Sequence, residues 1–152
     1  MTLKKLAVLA LAAVAIVILA GCIKSGRHKP ATANIEVTLD PAVFYVNEPQ
    51  VTTATITELN GVGVDLNYLW VKYYNEQGNF VKEWGRTGDE ARRWFDEQLG
   101  THYLPGHGQI EETVEEEPFD APGTQDLIIG GTDDNGHEVR DTVKITLIER
   151  GG

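Results

Sequence analysis

The chain has 152 residues, with 13 Lys and Arg against 23 Asp and Glu, a formal charge of -10 and a single Cys. That suffices for one domain, but it is too acidic for a nucleic-acid binder and too poor in thiols for a disulfide scaffold or a cysteine-ligated zinc site. Lys4 and Lys5 belong to an apolar leader; setting them aside leaves 11 basic and 23 acidic residues, a charge of -12.

Residues 1–5 are a short positive segment, and Leu6 begins an unbroken run of Leu, Ala, Val and Ile that reaches Ile18. Thirteen helical residues span about 20 Å, short of the roughly 30 Å hydrocarbon core, so a signal peptide over residues 1–21 is expected rather than a membrane span. Leu19, Ala20, Gly21 and Cys22 follow, and this tetrad resembles the lipobox of bacterial lipoproteins. Small residues before the Cys let a signal peptidase approach the backbone, and the Cys22 thiol is the side chain able to form the thioether. The resemblance implies cleavage before Cys22 and a lipid on its sulfur. The protein is then held on a bacterial membrane, outer or cytoplasmic, with its domain facing the periplasm or the exterior. Two or more acyl chains make such attachment stable where one would be marginal. Residues 22–33 read as a tether, because they carry Gly, Pro, Ser and three basic residues and no hydrophobic period. Lys24, Arg27 and Lys29 suit either anionic headgroups or simple solubility beside the membrane.

From residue 34 to 149 the dominant period is two. Ile35, Val37 and Leu39 alternate with Glu36, Thr38 and Asp40 until Pro41 ends the strand. A second strand is expected after Pro49, where Thr, Val and Ile cluster around Ala54 and Ile56. Asn60, Gly61 and Gly63 break the chain before its most aromatic stretch, residues 64–74. Strict alternation there puts Leu66, Tyr68 and Trp70 on one face and Leu69, Val71 and Tyr73 on the other, as in a central strand covered on both sides. A loop around Gly78 returns the chain through Phe80 to Trp84, and Asp133, Asp134, Asn135 and Gly136 form the turn of a second hairpin. The expected fold class is all-β: an immunoglobulin-like antiparallel β-sandwich of about seven strands, preceded by the lipoprotein leader.

One segment departs from this period. Thr87 and Glu90 have the spacing of a capping box, and Ala91, Trp94, Phe95 and Leu99 recur at helical spacing until Gly100. A short inserted helix is expected to plug an open end of the sandwich. In the sharper alternative, Trp84, Trp94 and Tyr103 form a binding surface beside it.

Residues 55–78, with the turn N-G-V-G-V and the hairpin YLWVKYYNEQGN, are followed by Leu104-Pro105-Gly106-His107-Gly108 and the closing GTDDNGHEVRDTVKITLI. Together they resemble bacterial surface-lipoprotein domains of the immunoglobulin-like class, of the polycystic-kidney-disease (PKD) and CARDB types. The chain lacks the F-G-D-G of the PKD pattern after Trp70, and its helix is extra. The resemblance implies a spacer, an adhesion unit or a ligand-binding unit rather than an enzyme.

Residue types narrow the chemistry further. The one Ser, Ser25, lies in the tether and Cys22 is assigned to lipid, so the domain has neither a Ser nor a Cys nucleophile. No Walker or dinucleotide glycine pattern occurs. His102 and His107 with Glu111 or Glu112 make a chemically possible zinc set, but Pro105 and two glycines between them suit surface histidines on a turn. The Asp133–Gly136 cluster suggests calcium, yet a tight hairpin calls for the same residues. Glu111, Glu112, Glu115, Glu116, Glu117 and Asp120 read as a solvated strand whose charge blocks edge pairing, with a basic partner as the alternative. The chain is thus expected to be non-catalytic, without metal or cofactor, presenting one domain for structural, adhesive or protein-binding roles. Its partner would be a protein or glycan of the envelope and not a nucleic acid. The alternative is a carbohydrate- or small-ligand-binding accessory lipoprotein.

Overall fold

Alternating apolar residues need a partner surface on one side only, and the chain meets that need by stacking two sheets. The computed structural model describes residues 29–151; the leader, with Leu19, Ala20, Gly21 and Cys22, lies outside them. Seven long strands run in chain order: β1 (Ile35–Asp40), β3 (Gln50–Glu58), β4 (Val64–Asn75), β5 (Phe80–Thr87), β7 (Gln109–Glu116), β8 (Gly123–Asp133) and β9 (Glu138–Ile148). Two short ones, β2 (Val43–Tyr45) and β6 (Tyr103–Leu104), are too brief to show a period in sequence. One sheet has the order β1-β3-β7, and the other β2-β9-β8-β4-β5 with β6 paired to β4. The fold is an immunoglobulin-like sandwich.

The first strand changes sheets. β1 lies antiparallel to β3, the chain crosses at Pro41 and Ala42, and β2 then runs parallel to β9. Thr52 Oγ1 donates to the Pro41 carbonyl at 2.7 Å, and the Thr146 N–H donates to the Ala42 carbonyl at 2.9 Å, which fixes the crossing. The contacts of the domain begin at Ala31, whose carbonyl accepts from Asn135 Nδ2 at 2.8 Å. Ile35, Val37, Ala54, Ile56, Leu69, Ile110, Val114 and Ile129 fill the space between the sheets.

Two sequence expectations are corrected. In β4 the alternation is not strict: a bulge between Leu66 and Tyr68 shifts the phase at Asn67. Leu66 therefore points inward with Leu69, Val71 and Tyr73, while Tyr68 and Trp70 face outward and are only half-buried. Trp70 lies across the cross-strand glycine Gly85, where a Cβ would overlap its ring, and its Nε1 donates to Glu83 at 3.1 Å.

The second correction concerns the helix, α1 (Gly88–Leu99). It packs on β4, β5 and β7, so it closes part of the flank where the edge strands β5 and β7 face each other, and not an end of the sandwich. Ala91, Phe95 and Leu99 form its buried stripe and Trp94 is half-buried. Thr87 is the N-cap residue in extended conformation, but its side chain makes no capping hydrogen bond. The start is held instead by Arg92, whose guanidinium meets Asp65 of β4 at 2.6 Å and Asp89 at 2.7 Å. Gly100 ends the helix at φ 75°, its N–H on the Asp96 carbonyl.

A candidate ligand cavity at the flank of the sandwich

Among the described residues β5 is an edge strand paired only to β4, and β7 is an edge strand paired only to β3. α1 bridges these two edges only along the half nearest Asp65. Among the described residues no second helix covers this flank, and the interior cavity lies beside it. A cavity of about 120 Å³ lies between the sheets, with walls that include Ala54, Leu69, Val71, Leu127, Ile129 and Ile145. Trp94 of α1 and Trp84 of β5 complete it on the flank side. An apolar cavity of similar size, about 150 Å³, is known to stay dry and accept benzene.

Outside it lies a second, more open cleft of about 310 Å³. Trp84, Glu116, Phe119 and Gln125 line both spaces, so the cleft, here called the vestibule, adjoins the cavity. Lys82, Glu117 and Asp120 also line the vestibule. Trp84 is 47% exposed, unusual for a residue that also walls an interior void. Phe119 stacks on Phe44 with centroids 6.4 Å apart, and the Tyr73 hydroxyl donates to the Pro122 carbonyl at 2.8 Å, which together fix the loop after β7. Desolvation, and then the charge of Glu117, push the Glu116 pKa up.

The structure brings Trp84 and Trp94 onto one cavity but leaves Tyr103 elsewhere. Tyr103 pairs with Asp65 on β4, whereas Trp84 pairs with Val71, six residues and about 20 Å along the strand. The Tyr103 hydroxyl donates to Asp134 Oδ2 at 3.0 Å. Phe119, Gln125 and Leu127 are not among the residues singled out in sequence, and Glu116 is read there as part of a solvated acidic strand. Glu116 had a signal: in β7 it shares the phase of Ile110 and Val114, which are buried.

The His102 ring is 2.8 Å from Asp96, and the His107 backbone N–H donates to Glu58 Oε2 at 2.9 Å. Among the described residues no group of three or more His, Cys, Asp and Glu side chains is placed to hold a metal ion. Asp133 is buried under the hairpin and accepts from the N–H groups of Ala33 (3.0 Å), Asn135 (2.9 Å) and His137 (2.8 Å). Burial pushes its pKa up, but these amides and the His137 ring outweigh it and hold the carboxyl at about 2. Its oxygens already face N–H donors, which is the role of a turn anchor and not of a calcium ligand. No described helix is long and apolar enough to cross a membrane.

No protein family and no curated protein sequence matches the chain. Solved structures do. The putative ApaA protein of Bordetella pertussis is 14% identical, with a TM-score of 0.50 over 78% of this chain and 96% of that one. The CARDB domain of a Pyrococcus furiosus protein, solved with di-metal ions, is 16% identical at a TM-score of 0.36, covering 78% and 94%. The sporulation control protein Spo0M of Bacillus subtilis is 12% identical at 0.45, covering 80% of this chain and 51% of its own. At these identities such likeness concerns the fold alone.

Proposed function

We propose that the chain is a non-catalytic cell-envelope lipoprotein, anchored through lipid on Cys22, whose single immunoglobulin-like domain binds a small apolar ligand. The observation that carries the binding role is the cavity between the sheets, open past Trp84 and bracketed by Trp84 and Trp94. A sandwich used only as a spacer has no need of an interior void, since packing it with side chains would be more stable. The envelope address is supported by the charged start, the apolar run and the Leu19-Ala20-Gly21-Cys22 tetrad.

A spacer or adhesive role is the second reading. It is favoured by the outer face of the larger sheet, where Tyr68 and Trp70 lie side by side with centroids 6.1 Å apart and Arg140 stands 3.8 Å over Tyr68.

Ala54→Leu separates the two, because it fills the cavity from β3 and leaves the outer face untouched. The variant should lose binding of a short aliphatic alcohol such as octanol while keeping its fold by circular dichroism. Undiminished octanol binding by a folded variant would sink the cavity reading. The address has its own test: Cys22→Ala should abolish fatty-acid labelling, and persistent labelling would contradict the anchor.

A further inference from the structure

The two adjoining spaces differ in character. The inner one is walled mainly by aliphatic and aromatic side chains, with Thr52, Glu116 and Gln125 as its polar members, and the outer one is lined by Glu116, Glu117 and Asp120 against a single Lys82. Among the described residues none of these three carboxylates is in an ion pair. Lys82 lies with its Nζ 6.0 Å from the centroid of the Tyr73 ring, which lines the same cleft, and is in no ion pair with them. Glu116 lines both spaces, so it stands where the mainly apolar lining meets the charged one.

We propose that the occupant is a small cationic amphiphile: an alkyl or aryl end between the sheets past Trp84, and an ammonium-type cation in the vestibule beside Glu116, Glu117 and Asp120. This rests on the reading of the cavity as a ligand site and adds the charge of the ligand. The inner space, about 120 Å³, admits an end group of roughly benzene bulk. A cation would supply the counter-charge that the rim carboxylates lack, and an anionic head would add a fourth negative charge to them. From Ala31 onward the chain carries 8 basic and 23 acidic residues, so its wider field also attracts cations and repels anions. The raised pKa of Glu116 fits a carboxylate without a cationic neighbour.

The test compares three probes of equal chain length, octylammonium, octanol and octanoate. Each is titrated calorimetrically into the full chain in lipid nanodiscs, with empty discs as reference. Octylammonium should bind about fivefold more tightly than octanol, the scale expected of exposed ion pairs, and octanoate more weakly than both. Higher salt should narrow the gap between octylammonium and octanol. The double variant Glu117→Gln, Asp120→Asn, at two residues that line the outer cleft and not the inner cavity, should shrink the octylammonium preference while leaving octanol binding unchanged, which also shows that the cavity is intact. If no probe binds, the cavity reading fails and this inference falls with it. If octanol binds but octylammonium binds no tighter, or octanoate binds as well, the cavity stands and the cationic assignment is overturned.

Discussion

Glu58 shows what one residue can do that a sequence pattern does not disclose. It sits at the end of β3, 1% exposed, and its two oxygens accept from the backbone N–H groups of Asn34, Asn60, Gly61, Val62 and His107. Three separate segments converge on it, one of them 49 residues away. In the sequence it is one Glu among many, because those donors are gathered only by folding. Burial pushes its pKa up from 4.5, but the amides of His107, Asn60, Asn34 and Gly61 outweigh burial and hold it at about 2. A lowered carboxyl contributes stability that is complete above about 4.5 and is lost as pH falls through about 2. The melting temperature should therefore drop across that window, and Glu58→Gln should lower it at neutral pH and flatten the acid decline. A variant with an acid profile parallel to the parent's would contradict this role. Glu58→Ala, which leaves several buried amides without acceptors, should cost about 3 kcal/mol or more by urea unfolding.

At the scale of elements, most strands were legible because one side of each is buried. β1 and β3 follow the pattern read from Ile35 and Val37 and from Ala54 and Ile56, and β9 alternates in the same way, burying Ile145 and Leu147. β4 was misread because a bulge residue, Asn67, looks like any other step in an alternating run, and its effect is to rotate everything after it to the other face. The helix was legible from Ala91, Phe95 and Leu99, but its place on the flank was not, since that depends on Arg92 reaching Asp65 on another element. The phase of β4 is open to a direct check by unfolding experiments. Leu69→Ala, which empties a fully buried site, should cost about 2–5 kcal/mol. Trp70→Ala, on the half-buried outer face, should cost about 1–2 kcal/mol, the scale of a cross-strand aromatic contact. A Trp70 loss larger than that of Leu69 would restore the strict alternation.

On the whole-molecule scale, the site arises from what the sandwich leaves undone. Two sheets whose edges β5 and β7 have no strand partner among the described residues need a cover on that flank, and a helix of 12 residues reaches over only part of it. The opening, the cavity behind it and the charged vestibule in front are consequences of that partial cover. Trp84 and Trp94 were visible as a pair of aromatics near the inserted segment, while Tyr103 was grouped with them only because it is close in sequence. The central claim is that a small apolar ligand enters between the sheets at this flank. The most direct measurement is a methyl-resolved NMR titration of the full chain with octanol. Saturable shifts centred on Leu127, Ile129 and Ile145, together with the Trp84 and Trp94 indoles, are expected. Shifts confined to the outer face around Tyr68 and Trp70, or no saturable shift at all, would contradict it.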